Sequence, residues 1–195
     1  MKLKLQPSLN IDLRQTTLAD LKPVKDIIQN VLLSEENDEN AGFLINFPEE
    51  KEYVHRISNN MYNIAALINS KLVGVLINFS SEEIIENTKS GFLLYESLIF
   101  NFLFQKSSKF LWLDQIAIHP KKFRRKGVAS KLIEESIEIG TQKGYQDFFL
   151  SISIFPERNI PSINLVKKIG FSFVHTVIID KRVWAIFHYQ STCNE

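Results

Sequence analysis

The segment from Phe110 to Gly144 constrains this chain more than any other part of it. Phe110–Ile118 is apolar except for Asp114 and Gln115, which suits a buried strand. It runs into His119-Pro120-Lys121-Lys122-Phe123-Arg124-Arg125-Lys126-Gly127-Val128-Ala129, a basic turn with one glycine. Beyond it, Val128, Leu132, Ile133, Ile137 and Gly140 fall on one face of a helix, and Lys131, Glu134, Glu135 and Glu138 on the other. Gly144 supplies a stop for that helix. A strand joined to an amphipathic helix by a tight turn belongs to layered α/β architectures. Such a turn aims backbone N–H groups outward with the positive end of the helix dipole behind them, which is how proteins hold phosphate. The plainer reading of the basic cluster is a solvated face, or a localisation or nucleic-acid patch. A glycine followed directly by an amphipathic helix favours phosphate.

The flanking sequence supplies the remaining layers. Ile11–Arg14 reads as a first strand. Leu18, Leu21, Val24, Ile27, Ile28, Val31 and Leu32 recur at helical spacing, with Thr17 and Asp20 at capping-box distance and Pro23 marking the first turn or a kink. Pro48 opens a second helix through Ser58. Ile64–Ile68 and Leu72–Phe79 form a hairpin around Asn69-Ser70-Lys71. Residues 81–109 are an insertion between the third and fourth strands. Its Phe92–Phe104 part is dense in Phe and Leu and suits a helix packed on the sheet or a lid over a pocket. Asp147–Phe155 alternates, Pro161 opens a helix that Gly170 stops, and Phe171–Ile179 with Val183–Tyr189 closes the chain as a hairpin around Asp180-Lys181-Arg182. Across 195 residues this order predicts one α/β domain with a mixed central sheet.

Composition narrows the function classes. The net charge of +1 provides no bulk field toward nucleic acid or membrane, so neither is an expected partner. The single cysteine, Cys193, excludes a disulfide framework and a cysteine-rich metal site, and no metal is expected. No apolar run reaches the roughly 20 residues of a spanning helix. Met1–Gln6 is basic, but no apolar stretch follows as in a secretory leader. The expected location is cytoplasmic.

Two motifs then resemble a known family. Arg124-Arg125-Lys126-Gly127-Val128-Ala129 is similar to the Arg/Gln-x-x-Gly-x-Gly/Ala turn of the GNAT superfamily of N-acetyltransferases. Asn159, twelve residues before Phe171, together with Gly170-Phe171, resembles that superfamily's Asn…Gly-Phe signature. The element order from Ile11 to Tyr189 agrees. The resemblance implies the GNAT fold, a mixed and mostly antiparallel sheet flanked by helices. It also implies acetyl-CoA or another acyl-CoA as cofactor, and transfer of the acetyl group to an amine by direct attack through a tetrahedral intermediate. A non-catalytic acyl-CoA-binding or regulatory domain is the alternative.

On that resemblance, the cofactor would be held by Ile116, Ala117, Ile118, Arg124, Arg125, Lys126, Gly127, Val128, Ala129, Ser130 and Asn159. Lys131 could add charge. The fourth strand would carry a bulge, splay from the fifth, and pair with the pantetheine arm. The Ile118 N–H would polarise the thioester carbonyl and hold the oxyanion. Asp114, sharing strand parity with Trp112, Ile116 and Ile118, is the candidate general base, its basicity raised by apolar surroundings. A structural Asp satisfied by backbone donors is an equal alternative. Relatives often place a Tyr seven residues after the Asn to serve the leaving sulfur; here that residue is Val166. Tyr95 and Glu96 are weaker acceptor-side candidates. His119 reads as a surface turn residue, and Cys193 as too near the terminus to carry an acyl group. The acceptor is a small-molecule or protein amine. The apolar insertion hints at an aromatic or aliphatic acceptor, or at a homodimer contact.

Overall fold

A computed structural model describes residues 10–32, 42–45, 50–58, 61–89, 97–119, 123 and 125–192. Among these residues, seven strands join in one sheet of order β1-β2-β3-β4-β5-β7-β6. They are β1 (Asp12–Gln15), β2 (Ile64–Ile68), β3 (Lys71–Ser80), β4 (Phe110–Ile118), β5 (Asp147–Phe155), β6 (Ser172–Ile179) and β7 (Arg182–Gln190). Every neighbouring pair is antiparallel except β4 with β5. This is the mixed, mostly antiparallel sheet that the resemblance implies. Both hairpins turn through two residues with positive φ, Asn69 and Ser70 (50° and 60°) and Asp180 and Lys181 (46° and 64°). Such turns match the twist of the flanking strands. Each following strand therefore starts one residue earlier than its apolar pattern indicates.

Helices cover both faces. On one side lie α1 (Leu21–Gln29), α2 (Glu50–Ser58), α3 (Ser81–Lys89) and α4 (Ser97–Lys106). Their Val24, Ile28, Tyr53, Ile57, Ile84, Ile99 and Leu103 pack with Val75, Phe110, Trp112 and Phe149. Pro23 falls in the first turn of α1, where its missing N–H costs nothing. On the other side lie α5 (Val128–Gln142) and α6 (Ile160–Ile169). Their Leu132, Ile133, Ile163 and Val166 meet Leu111, Leu113, Phe148 and Leu150. Gly140 is what lets α5 approach: a Cβ there would lie 2.6 Å from both Leu111 Cδ1 and Phe148 Cε1.

The insertion forms α3 and α4. Ser80 and Glu83 make a reciprocal cap at the start of α3: the Ser80 N–H donates to Glu83 Oε2 at 2.7 Å, and the Glu83 N–H to Ser80 Oγ at 3.1 Å. Phe100 and Phe104 of α4 pack edge-on against Trp112 and Phe110. This part of the insertion is therefore a helix laid on the sheet. Tyr95 and Glu96 lie outside the described residues.

Two irregularities mark β4. Ile77 pairs with Gln115 and Asn78 with Leu113, so Asp114 is the extra residue of a β-bulge. The bulge breaks the alternation expected for this strand. Trp112 packs with the α1/α2/α4 side, whereas Ile116 and Ile118 pack on the α5 side. Asp114 thus does not share a face with Ile116 and Ile118, because the inserted residue shifts parity by one. The second irregularity is that β4 pairs with β5 only over Phe110–Trp112 against Asp147–Phe149. Past that point the sheet is open.

Candidate functional site

A cavity of about 920 Å³ occupies this opening. From β4 it is lined by Trp112 to Ile116 and by Ile118, and from β5 by Leu150 to Ser153. On the α5 side its walls include Val128, Ala129, Ser130, Pro161, Leu165 and Val166. On the opposite side they include Val31, Leu44, Glu52, Arg56, Ile99 and Trp184. The cavity therefore runs through the sheet from one helical layer to the other.

Strand geometry fixes which backbone groups face the opening. The His119 N–H donates to Val73 O at 2.8 Å, and Ile118 is paired with Gly74. In an antiparallel ladder that makes Ile118 a non-hydrogen-bonded position, whose own N–H and C=O point away from β3. Ile116, two residues earlier, behaves alike. Their free groups face the gap toward β5. Ala117 differs: its carbonyl lies toward Gly74 of β3, and it does not line the cavity.

At one mouth stands the basic turn. Arg125 (φ 60°) and Gly127 (φ 80°) both adopt left-handed backbone, and Gly127 caps α5. The Lys131 N–H already donates to Gly127 O at 3.1 Å, and the N–H groups of Val128, Ala129 and Ser130 have no acceptor among the described residues. A Cβ built on Gly127 meets no atom of the described residues within 4 Å, so no packing among them requires a glycine here. The space is open to an approaching ligand. These features fit a diphosphate.

On the other side of the sheet, Asp114 Oδ2 is ion-paired with Arg56 Nη1, both side chains being about nine-tenths buried. Asp114 Oδ1 accepts from Trp112 Nε1 at 3.3 Å. Arg56 also lies over the Phe79 ring, 5.0 Å from its centre. Beside it the Tyr53 hydroxyl donates to Gln115 Oε1 at 3.2 Å, and burial pushes the Tyr53 phenol well above its ordinary range. The bulge turns Asp114 and Gln115 together toward α2. Asp114 is therefore paired with a guanidinium rather than isolated among apolar groups or held by backbone donors.

The family model for the acetyltransferase (GNAT) family matches residues 31–171. The chain belongs to the GNAT acetyltransferase family. Solved structures agree at the level of the fold. Polyamine N-acetyltransferase of Drosophila melanogaster superposes with a TM-score of 0.65 at 14% identity, covering 93% of this chain and 100% of that one. Ribosomal-protein-S18-alanine N-acetyltransferase from Escherichia coli gives 0.62 at 16%, covering 95% and 99%. Arabidopsis thaliana Naa50, in complex with a bisubstrate analogue of CoA, gives 0.61 at 16%, covering 93% and 99%. No curated protein matches the sequence.

The remaining candidates of this GNAT chain fall into place around the opening. Asn159 caps α6, accepting from the Ser162 N–H at 3.2 Å while its amide donates to Phe43 O at 2.9 Å. Both ends of that side chain thus order the loop, although the residue also lines the cavity. Val166 sits on the wall, 2% exposed. Lys126 and His119 are exposed, and Lys126 stacks over Phe123 rather than lining the cavity. Arg124 and Cys193 lie outside the described residues. No helix is long and apolar enough to cross a membrane, and no cluster of metal-ligating residues occurs, both among the described residues. Sequence reasoning missed Glu52 and Arg56. Nothing in the pattern of α2 marks them, since their importance comes from the bulge that brings β4 to them.

Proposed function

We propose that this chain is an acyl-CoA-dependent N-acyltransferase that moves an acetyl group directly from acetyl-CoA to an amine. The observation that carries the reading is the continuous cavity, which links the glycine turn before α5 on one face of the sheet to a separate chamber on the other. Bound acetyl-CoA supplies an activated thioester carbonyl. The N–H groups of Val128, Ala129 and Ser130, with Arg125 beside them, hold the diphosphate. The free backbone edge of Ile116 and Ile118 receives the pantetheine amides as an added strand. The Ile118 N–H, which points away from β3, would stabilise negative charge on the acyl oxygen. Asp114 Oδ1, whose only partner among the described residues is the long Trp112 bond, takes the amine proton directly or through water. Arg56 fixes that carboxylate in place. The fly enzyme's formation of N-acetylagmatine and the CoA analogue bound to Naa50 are in keeping with this division into donor and acceptor sides.

Val166 favours a second reading, an acyl-CoA-binding domain without turnover, because no hydroxyl stands where relatives often place one. Calorimetry with acetyl-CoA, followed by thiol release on adding a panel of amines, separates the two. Transfer predicts binding and amine-dependent release of free CoA. Binding without release supports the second reading, and absence of binding refutes both. Asp114→Asn should lower kcat more than it raises KM. Unchanged kcat removes Asp114 as the base.

A further inference from the structure

We infer that the acceptor is a primary monoamine on an aromatic or bulky aliphatic body, and that Glu52 is the residue that binds its ammonium group. The inference rests on the N-acyltransferase reading above and names the substrate class of that same site. The part of the cavity on the α1/α2/α4 side is walled by Val31, Leu44, Ile99, Trp112, Ile179 and Trp184. Four of these, Val31, Ile99, Trp112 and Ile179, are buried among the core residues of that layer, and Leu44 and Trp184 pack against them. A surface of this kind rewards an apolar body, and its two indoles suit a ring or a cation near a ring.

The charged groups of the same chamber decide the polar end. Arg56 and Asp114 are ion-paired with each other. Glu52 lies one turn before Arg56 on α2, lines the cavity and makes no ion pair or hydrogen bond among the described residues. The described walls on this side therefore hold two carboxylates against one guanidinium, an excess of a single negative charge. An ammonium ion answers that excess. A second cationic centre on the acceptor finds no second free carboxylate among the described residues, and a carboxylate on the acceptor meets Glu52 with like charge. Hence monoamines are favoured over polyamines and over amino acids. Because Glu52 and Asp114 both line this chamber, an amine held by the first lies on the same side of the sheet as the proposed base.

The test measures binding apart from turnover. The full chain is saturated with CoA, and 2-phenylethylamine, ethylamine, spermidine and phenylalanine are titrated by calorimetry. Steady-state kinetics with acetyl-CoA follow on the same four compounds. We expect 2-phenylethylamine to bind at least tenfold more tightly than the others. Glu52→Gln should weaken it by roughly ten- to hundredfold, the range for a charge-assisted contact, and Glu52→Asp by less. The affinity for acetyl-CoA should not change in either variant. Equal affinity of wild type and Glu52→Gln for 2-phenylethylamine overturns the inference, as does preference for spermidine or phenylalanine. Should the amine bind in a Glu52-dependent way without any acetyl transfer, the chamber is as described and the catalytic reading fails. Should transfer proceed with Glu52→Gln behaving as wild type, the catalytic reading stands and the present inference fails.

Discussion

Replacing Gly127 with alanine separates backbone strain from ligand approach. The residue has φ 80° and ψ 2°, a conformation that costs an L-residue about 1–2 kcal/mol. No atom of the described residues lies within 4 Å of the new Cβ, so backbone strain is the folding penalty. For a chain of this length, about 1–2 kcal/mol lowers Tm by roughly 2–8 °C. The same methyl group occupies the space in front of the Val128, Ala129 and Ser130 donors. Losing one charge-assisted hydrogen bond to phosphate costs about 1.5–3 kcal/mol, or roughly ten- to hundredfold in Kd. Gly144 supplies the control. It has φ 81° and lies just beyond the other end of α5, where a Cβ meets only the flexible tip of Lys109 at 3.1 Å. Gly144→Ala should therefore lower Tm by a similar amount and leave CoA binding unchanged. Gly127→Glu should abolish binding while the fold persists. Calorimetry with CoA and thermal melts of the three variants decide the matter. Equal CoA affinity in Gly127→Ala and Gly144→Ala would refute the placement of phosphate at this turn.

Three further outcomes follow from the packing. Arg56→Met leaves Asp114 buried without its partner and should cost about 3 kcal/mol; the pair Arg56→Met with Asp114→Leu should recover most of this in urea melts, and no recovery would contradict the pairing. Gly140→Ala gains about 1 kcal/mol of helix propensity. It also forces a methyl group onto the fully buried Leu111 and Phe148, an overpacking cost of roughly 1–3 kcal/mol, so the urea midpoint should fall. The third concerns pH: the Arg14 guanidinium, at 2.7 and 2.8 Å, holds the Asp20 carboxyl below its usual range. That stabilisation is complete above the ordinary aspartate value near 3.9 and is lost as pH falls through the depressed folded value. Arg14 is 42% exposed, so screening limits the effect to about 1 kcal/mol. Asp20→Asn should remove this share of the acid dependence, measured as Tm from pH 5 to 2.

Much of this was legible because local chemistry and tertiary structure agree. The glycine turn before α5, Pro161 and Gly170 bounding α6, and the alternation of β5 all carry their own conformational signals. The insertion was harder, since its Phe- and Leu-rich part shows only a narrow polar stripe, Ser97, Asn101 and Gln105, to set a period. The Ser80–Glu83 cap was nevertheless present in the sequence as a mark of α3. A bulge in β4 was implied by the family resemblance, but its place at Asp114 was not, because an extra residue in a strand is defined only by its partner. It reversed the expected facing of Ile116 and Ile118 relative to Asp114, and it delivered Asp114 to Arg56. Charges on α2 became part of the site only through that long-range juxtaposition.

The short β4–β5 pairing has a mechanical consequence. Three residues of ladder are the seam between a four-stranded half, β1 to β4, and a three-stranded half, β5 to β7. A ligand lying along that seam acts as a missing rung, bonded to one half and packed on the other. Its arrival ties the halves together, so amide protons of Leu150 to Ser153 should exchange more slowly once the coenzyme is in place.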